Sequence, residues 1–432
     1  MDSHTTRRRY LHAIGAAGVV GLAGCASDNS QSTDDDDEDD DDEQENSTTT
    51  TGTTSGPGTA TSEESTETET DSEDTVSGPD SFPETWPQFG YDRVRSGHPA
   101  QNTGPDDLKV QWAVETGDTV WSSPAVVDGV VYVGSSDGNL YALAAADGSE
   151  RWHVEMGGVR SSPSVSGDTE TVYVGDGEGV VHALNAADGT ERWRFESGTR
   201  IDSSPVVVDD TVYIGSMIWD DSRVGLVHAL DADTGEEHWR FETPSLITTA
   251  PAVTDQAVYI STEGRGVIGL NRADGSERWT FGTQGYTSPA VDGETVFVGA
   301  DSGHIIALDT ADGSERWNYR TGDVIQYGSP AIADGHVYLG SMDEHVYALD
   351  ATDGAVSWQF ETGGSVYSSP AVVDGTVYVG SVGGTLHALE ATDGTEISRF
   401  EADGNVSSSP AVANGVVYVG SFDNHVYALT GE

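Results

Sequence analysis

From residue 110 onward the chain alternates short apolar runs with turn-forming pairs, and the alternation repeats. One unit reads Ser122-Ser123-Pro124-Ala125-Val126, Asp128-Gly129, Val131-Tyr132-Val133-Gly134, Asp137-Gly138, Leu140-Tyr141-Ala142-Leu143, Asp147-Gly148, Arg151-Trp152. Its proline recurs at Pro163, Pro205, Pro251, Pro289, Pro330, Pro370 and Pro410, at spacings of 38 to 46 residues. A period of that length marks a propeller or an array. Each unit holds four runs rich in β-branched and aromatic residues, separated by Asp-Gly or similar pairs that close hairpins. Nothing in the unit has helical periodicity. Four antiparallel strands per unit make a propeller blade. The central runs are nearly continuous apolar, as expected where neighbouring blades cover both faces.

The count of runs predicts how the ring closes. Eight units carry the proline strand, but the chain stops at Ala428-Leu429, after three strands of the eighth. The run Val110-Gln111-Trp112-Ala113-Val114 is the fourth strand that this blade lacks. Residues 81–432 are therefore predicted to form an all-β, eight-bladed β-propeller of four-stranded antiparallel blades, closed by an N-terminal strand. Closure removes free sheet edges. It also has to do without a disulfide, because Cys25 is the one cysteine in the chain.

The pattern is different before residue 81. Arg7-Arg8 precedes a weak apolar stretch from Ala13 to Gly24. That stretch is too short and too rich in glycine and alanine to span a membrane well, and it resembles a twin-arginine (Tat) export signal. It ends Leu22-Ala23-Gly24-Cys25, which resembles a lipobox, so Cys25 is the expected lipidation site. Residues 1–25 are read as this signal. Residues 26–80 are Asp, Glu, Ser, Thr and Gly with almost nothing apolar, and read as a disordered acidic linker. Its reach is on the order of 40 Å. These features predict a protein exported and anchored by lipid to the outer face of the cytoplasmic membrane. Asn46-Ser47-Thr48 and Asn405-Val406-Ser407 match glycan acceptors.

Charge narrows the setting and the partners. The chain has 74 acidic and 19 basic residues, a formal net charge of −55, and Lys109 is its one lysine. Residues 81–432 hold 53 acids and 16 bases. Such a surface repels nucleic acid, which is excluded as a partner. The self-repulsion is tolerable where salt screens it, so the composition predicts adaptation to a very salty medium.

Candidate chemistry is sparse. The twelve histidines are scattered, and His182, His228, His345, His387 and His425 recur with the repeat rather than as a metal site. Serine and aspartate recur throughout as turn formers, so no nucleophile–base–acid set stands out. Variation within the repeat is more informative. The residue three before each proline is Trp121, Arg160, Asp202, Thr248, Tyr286, Tyr327, Tyr367 or Ser407. It lies in the loop that leads to the innermost strand, and Trp, Arg and Tyr are enriched at binding hot spots. Trp121, Arg160, Asp202, Tyr286, Tyr327 and Tyr367 are thus candidate binding residues at a channel mouth. The longest unit adds a loop, Met217-Ile218-Trp219-Asp220-Asp221-Ser222-Arg223, whose Trp219 is either an exposed contact or folded back on its blade.

The run Ala229-Leu230-Asp231-Ala232-Asp233-Thr234-Gly235-Glu236-Glu237-His238-Trp239 resembles the tryptophan-docking motif of the PQQ-like (pyrroloquinoline quinone) repeat family. The lead-in Trp86-Pro87-Gln88-Phe89-Gly90 looks like that family's N-terminal segment, so the resemblance covers the chain from Trp86 to its end. It implies that Trp112, Trp152, Trp193, Trp239, Trp279, Trp317 and Trp358 dock between blades, with Ser398 replacing the tryptophan at the weakest junction. It also implies one of two functions. One is a protein-interaction or ligand-binding scaffold, like the BamB-type lipoproteins, here of haloarchaeal type, with no cofactor and as a monomeric propeller. The other is a quinoprotein dehydrogenase, which would bind PQQ and calcium in the channel. The family's dehydrogenases typically carry a disulfide of adjacent cysteines and long inserted loops, and this chain has neither. The expectation is therefore an anchored scaffold that binds a protein or another surface component, leaning away from an enzyme.

Overall fold

Residues 85–166 and 170–431 are described by a computed structural model. Arg7, Arg8, Cys25, the acidic linker and Asn46 lie outside the described residues. Among those described, every regular element is a strand, thirty-two in all. The first blade is β2 (Ala125–Val127), β3 (Val130–Gly134), β4 (Asn139–Ala144) and β5 (Glu150–Glu155), hydrogen-bonded in that order. Six further blades repeat it, and their first strands are β6 (Ser164–Ser166), β10 (Val206–Val208), β14 (Ala252–Val253), β18 (Ala290–Asp292), β22 (Ala331–Ala333) and β26 (Ala371–Val373). The eighth is β30 (Ala411–Ala413), β31 (Val416–Gly420), β32 (His425–Thr430) and then β1 (Lys109–Glu115). Strand β1 runs antiparallel to β32, with Lys109 opposite Thr430 and Glu115 opposite His425. The ring is closed by the N-terminal strand, as the run count predicts.

The first strands are the inner ones, since they touch one another at seven of the eight junctions around the ring, β30 with β2 included. The Ser-Ser-Pro motif explains how. The first hydroxyl ties the inner strand to the second strand of its own blade: Gly134 N–H donates to Ser122 Oγ at 3.1 Å, and Gly175, Gly215 and Gly420 bond Ser161, Ser203 and Ser408 in the same way. The second hydroxyl ties one blade to the next. Ser123 N–H donates to Ser162 Oγ, Ser162 to Ser204, Ala250 to Ser288, Ser288 to Ser329, Ser329 to Ser369, Ser369 to Ser409, and Ser409 back to Ser123, all at 2.8–3.0 Å. Ala250 has no hydroxyl for Ser204, so one link of the ring is missing. These serines, read from sequence as turn formers, are connectors.

The core lies in wedges between blades. Trp152 packs on Tyr132 at 5.7 Å, among Val165, Val172 and Leu184 of the next blade. Its indole N–H donates to Ala186 O at 3.0 Å. The other six docking tryptophans donate likewise, to Ala145, Ala232, Arg272, Thr310, Ala351 and Ala391 at 2.8–3.0 Å. Each ring lies against the turn glycine of the blade it docks on. Gly235 shows why that residue is glycine: its φ is +73°, and a Cβ there would sit 2.6 Å from Trp193. At the junction lacking a tryptophan, Ser398 Oγ bonds Asp107 at 3.2 Å and accepts the Leu108 N–H at 3.1 Å. Tyr378 donates across the same seam to Pro105 O at 2.8 Å. The weak junction expected from the sequence is a polar one, made by the segment that enters β1.

Residues 86–102 form a strap along the free edges of the inner strands. Trp86 exchanges two hydrogen bonds with Val126, both at 2.7 Å. The N–H groups of Val165, Val253, Val291, Ile332 and Val372 then donate to the carbonyls of Pro87, Arg93, Val94, Ser96 and Gly97. Asn102 completes the path by donating to Val412 O at 2.7 Å. Seven of the eight inner strands are thus bonded by one short, non-repeating segment. Within it Arg95 is 1% exposed. Its guanidinium donates to Pro251 O and Phe89 O and stacks on the Phe89 ring at 4.6 Å. Burial pulls its pKa down to about 9.

Candidate functional site

All eight inner strands begin at the same end of the ring, so the residues three before each proline meet there. Tyr327 is their hub. Its ring centroid lies 6.1 Å from Tyr286, 5.4 Å from Tyr367 and 6.4 Å from Trp121. Trp121 also packs on Phe422 at 4.3 Å, and the Arg160 guanidinium sits 5.7 Å over its ring. Asp202 is held by Arg200 at 2.9 Å. Five blades therefore contribute aromatic rings to one cluster. Thr248 and Ser407 complete the circle without rings, and Ser407 is 8% exposed.

Backbone strain presents the hub. Tyr327 has φ +68°, and Gly328 N–H closes back on Gln326 O at 2.9 Å, a tight three-residue turn rarely adopted by a bulky residue. Such a conformation costs on the order of 1–3 kcal/mol and persists where the surroundings enforce it. Here the surroundings include Gly328, where a Cβ would lie 2.9 Å from Ser368 O. The turn leaves Tyr327 43% exposed, which is unusual for a ring inside an aromatic cluster.

Carboxylates surround the rings. Tyr286 bonds Glu263, and burial followed by that carboxylate pushes its hydroxyl pKa well above the usual tyrosine range. Burial and then Asp301 raise Tyr327, and burial and then Tyr327 raise Tyr367. All three stay protonated phenols through neutral pH. Asp301 is itself half-buried, and burial raises its pKa against the opposing hydrogen bond from Gln326 Nε2 at 3.2 Å.

Three of the residues that matter here are not among the sequence candidates: Glu263, Asp301 and Phe422. They share one repeat position, the second residue of the turn between the middle strands, where other blades have Ser136, Gly177, Met342 and Val382, and where the third blade has Met217 within a lengthened strand. The signal that finds the loop position, variation at a fixed place in the unit, finds this one too.

The long third blade adds β11 (Thr211–Ile218) and β12 (Val224–Asp231), whose connecting turn carries Trp219. The ring is 63% exposed, so it does not fold back on its blade. Arg223 stacks on it at 5.7 Å and bonds Glu263, which links this loop to the mouth. Between them lies a hollow of about 300 Å³ lined by Arg223, Pro244, Ser245, Glu263, Gly264 and Gln284. A larger open groove, about 770 Å³, lies between the third and fourth blades beside Trp239 and Arg272. Arg272 stands there where most blades carry alanine beneath the docked tryptophan, and none of the lining residues belongs to the aromatic cluster. Among the described residues no three His, Cys, Asp or Glu side chains converge as metal ligands do.

Three solved structures illustrate the fold. The quinohemoprotein alcohol dehydrogenase from Comamonas testosteroni has a TM-score of 0.70 at 16% identity, covering 81% of each chain. A europium-containing methanol dehydrogenase has a TM-score of 0.70 at 13% identity, over 81% of this chain and 98% of that one. BamB from Moraxella catarrhalis has a TM-score of 0.62 at 18% identity, over 75% and 97%. At these identities the likeness is one of fold alone. No curated protein sequence matches the chain. A family model described as outer membrane protein assembly factor BamB matches residues 103–181, 177–288, 281–369 and 361–432 in four overlapping stretches, and the chain belongs to that PQQ-like repeat family.

Proposed function

We propose that this chain is an exported, lipid-anchored interaction module. It holds a protein or another surface component at the mouth formed by Trp121, Arg160, Asp202, Tyr286, Tyr327 and Tyr367. The observation that carries this reading is the half-exposed, strained Tyr327 at the centre of rings drawn from five blades. Aromatic anchors held rigid before binding are what hot spots are made of. Trp219 supplies a second contact beside the mouth. The twin arginine Arg7-Arg8 and the Leu-Ala-Gly-Cys25 run support anchoring at the outer face of the cytoplasmic membrane, and the acidic, lysine-poor composition supports a salty medium. The similarity to BamB, an assembly factor by name, is compatible with a protein partner.

The neighbouring dehydrogenases raise a quinone and a calcium or other metal ion as alternatives, but the residues present do not fit them. A calcium-held quinone needs converging carboxylate and amide oxygens. Among the described residues no three His, Cys, Asp or Glu side chains converge; of the carboxylates at the mouth, Asp301 is bonded by Gln326 and Glu263 by Arg223, and one cysteine cannot make a disulfide. The test is a titration of the purified protein with PQQ and calcium, followed by absorption. No stoichiometric binding is expected. Saturable binding with dye-linked oxidation of an alcohol or sugar would overturn the scaffold reading.

A further inference from the structure

Hydrogen-bonding capacity at the mouth is lopsided. Gln326 Nε2 is committed to Asp301, while Gln326 Oε1 is buried and has no partner among the described residues. Ser407 Oγ, two blades further round the mouth, is buried in the same state. The Asp301 carboxylate is half-buried and accepts from that one amide, with no cation paired to it among the described residues. Glu263 lies close enough to add to its negative field. Of the basic residues of the mouth, Arg200 pairs with Asp202, Arg223 pairs with Glu263, and Arg160 lies over Trp121, where its charge reaches Tyr327. What Gln326 Oε1 and Asp301 lack is a donor, and for Asp301 a positive one. Beside that deficit stands Tyr327, 43% exposed and held by its left-handed backbone. Ring faces are negative and attract cations, most strongly where water is displaced.

We propose that the mouth receives an organic cation, a guanidinium or ammonium group, stacked on Tyr327 and paired with the carboxylate of Asp301. This rests on the reading of the mouth as the binding site and names the chemistry it selects. An anion would meet the Asp301 carboxylate, which has no cation paired to it among the described residues, while the one cation at Glu263, Arg223, is already engaged. A neutral hydroxyl ligand would satisfy Gln326 Oε1 but leave the desolvated carboxylate uncompensated. The cation is either a side chain of an inserted protein loop or a free polyamine. In concentrated salt long-range steering is screened, so selection falls to these short contacts.

The experiment is calorimetry on the purified full chain in molar KCl with three probes: acetyl-arginine amide, its uncharged isostere acetyl-citrulline amide, and spermidine. At least one cation is expected to bind about tenfold or more tighter than the citrulline compound. Asp301→Asn should remove that preference in a variant that still melts cooperatively. Tyr327→Phe should retain the preference and Tyr327→Ala should lose it. Which cation wins separates a protein side chain from a free polyamine. Equal binding of arginine and citrulline compounds, no binding of either cation, or a preference that survives Asp301→Asn would overturn the proposal. A partner that cross-links at position 327 and binds Asp301→Asn as well as the native chain would sink the cation alone. Absence of cross-linking at 327 would sink the mouth itself.

Discussion

The backbone N–H of Ser409 donates to the Oγ of Ser123 at 2.9 Å, joining the last blade to the first. It is one of seven such links, and the missing eighth falls at Ala250. Ser123→Ala leaves the Ser409 N–H buried without its acceptor and is expected to cost about 1–2 kcal/mol. Ala250→Ser supplies the missing acceptor and is expected to stabilise by about 0.5–1 kcal/mol. Urea unfolding in concentrated salt measures both. Equal effects of the same sign would contradict the ring.

The tryptophan–glycine contact gives a second test. Gly235→Ala brings a Cβ against Trp193 at a left-handed position, and a loss above about 1 kcal/mol is expected. Trp193→Ala should lose about 3–5 kcal/mol. Gly129→Ala is the control, because a Cβ there meets nothing within 4 Å although its φ is also positive. Its loss isolates the backbone contribution, and a loss equal to that of Gly235→Ala would show that ring contact adds nothing.

Closure by β1, the eight blades and the docking tryptophans are legible in the sequence because each is a periodic signal. The mouth is half legible. Trp121, Tyr286, Tyr327 and Tyr367 stand out as variation at a fixed repeat position, whereas Glu263, Asp301 and Phe422 vary at a second position one turn away. The strap of residues 86–102 leaves no such trace, since it does not repeat and binds the inner strands largely through backbone groups, with side chains such as those of Arg95 and Asn102 adding single bonds. The two serines of Ser122-Ser123 are ambiguous for a related reason: a hydroxyl that caps a turn and one that bridges blades look alike in sequence.

Stability should fall in two stages as the solution is acidified. His228 and His387 are buried, and desolvation lowers both pKa values despite hydrogen bonds to Glu237 and Glu396. The folded rings are neutral, so these contacts are hydrogen bonds rather than ion pairs. Their contribution is full above the unfolded value of about 6.5 and erodes as pH falls below it. The turn carboxylates Asp147, Asp188 and Asp274 are held low by hydrogen bonds from Ser149, Thr190 and Ser276. Their contribution persists above about 3.9 and is lost as pH falls through the folded values. Melting temperature against pH should show both declines, and replacing His228 and His387 by Gln should flatten the first. A profile flat from pH 7.5 to 5 in the native protein would contradict it.

Salt is the complementary variable. With 53 acids against 16 bases over residues 81–432, lowering KCl from multimolar to millimolar should depress the melting temperature monotonically. An unchanged melting temperature would count against adaptation to high salt.

The most direct measurement is photo-cross-linking in the native cell, with a photoreactive residue at position 327 in the mouth or at position 356 on an outer strand, where Val356 is also exposed. Binding through the mouth predicts a discrete adduct from 327 that is absent from 356. Adducts from 356 alone, or none from 327, would contradict it.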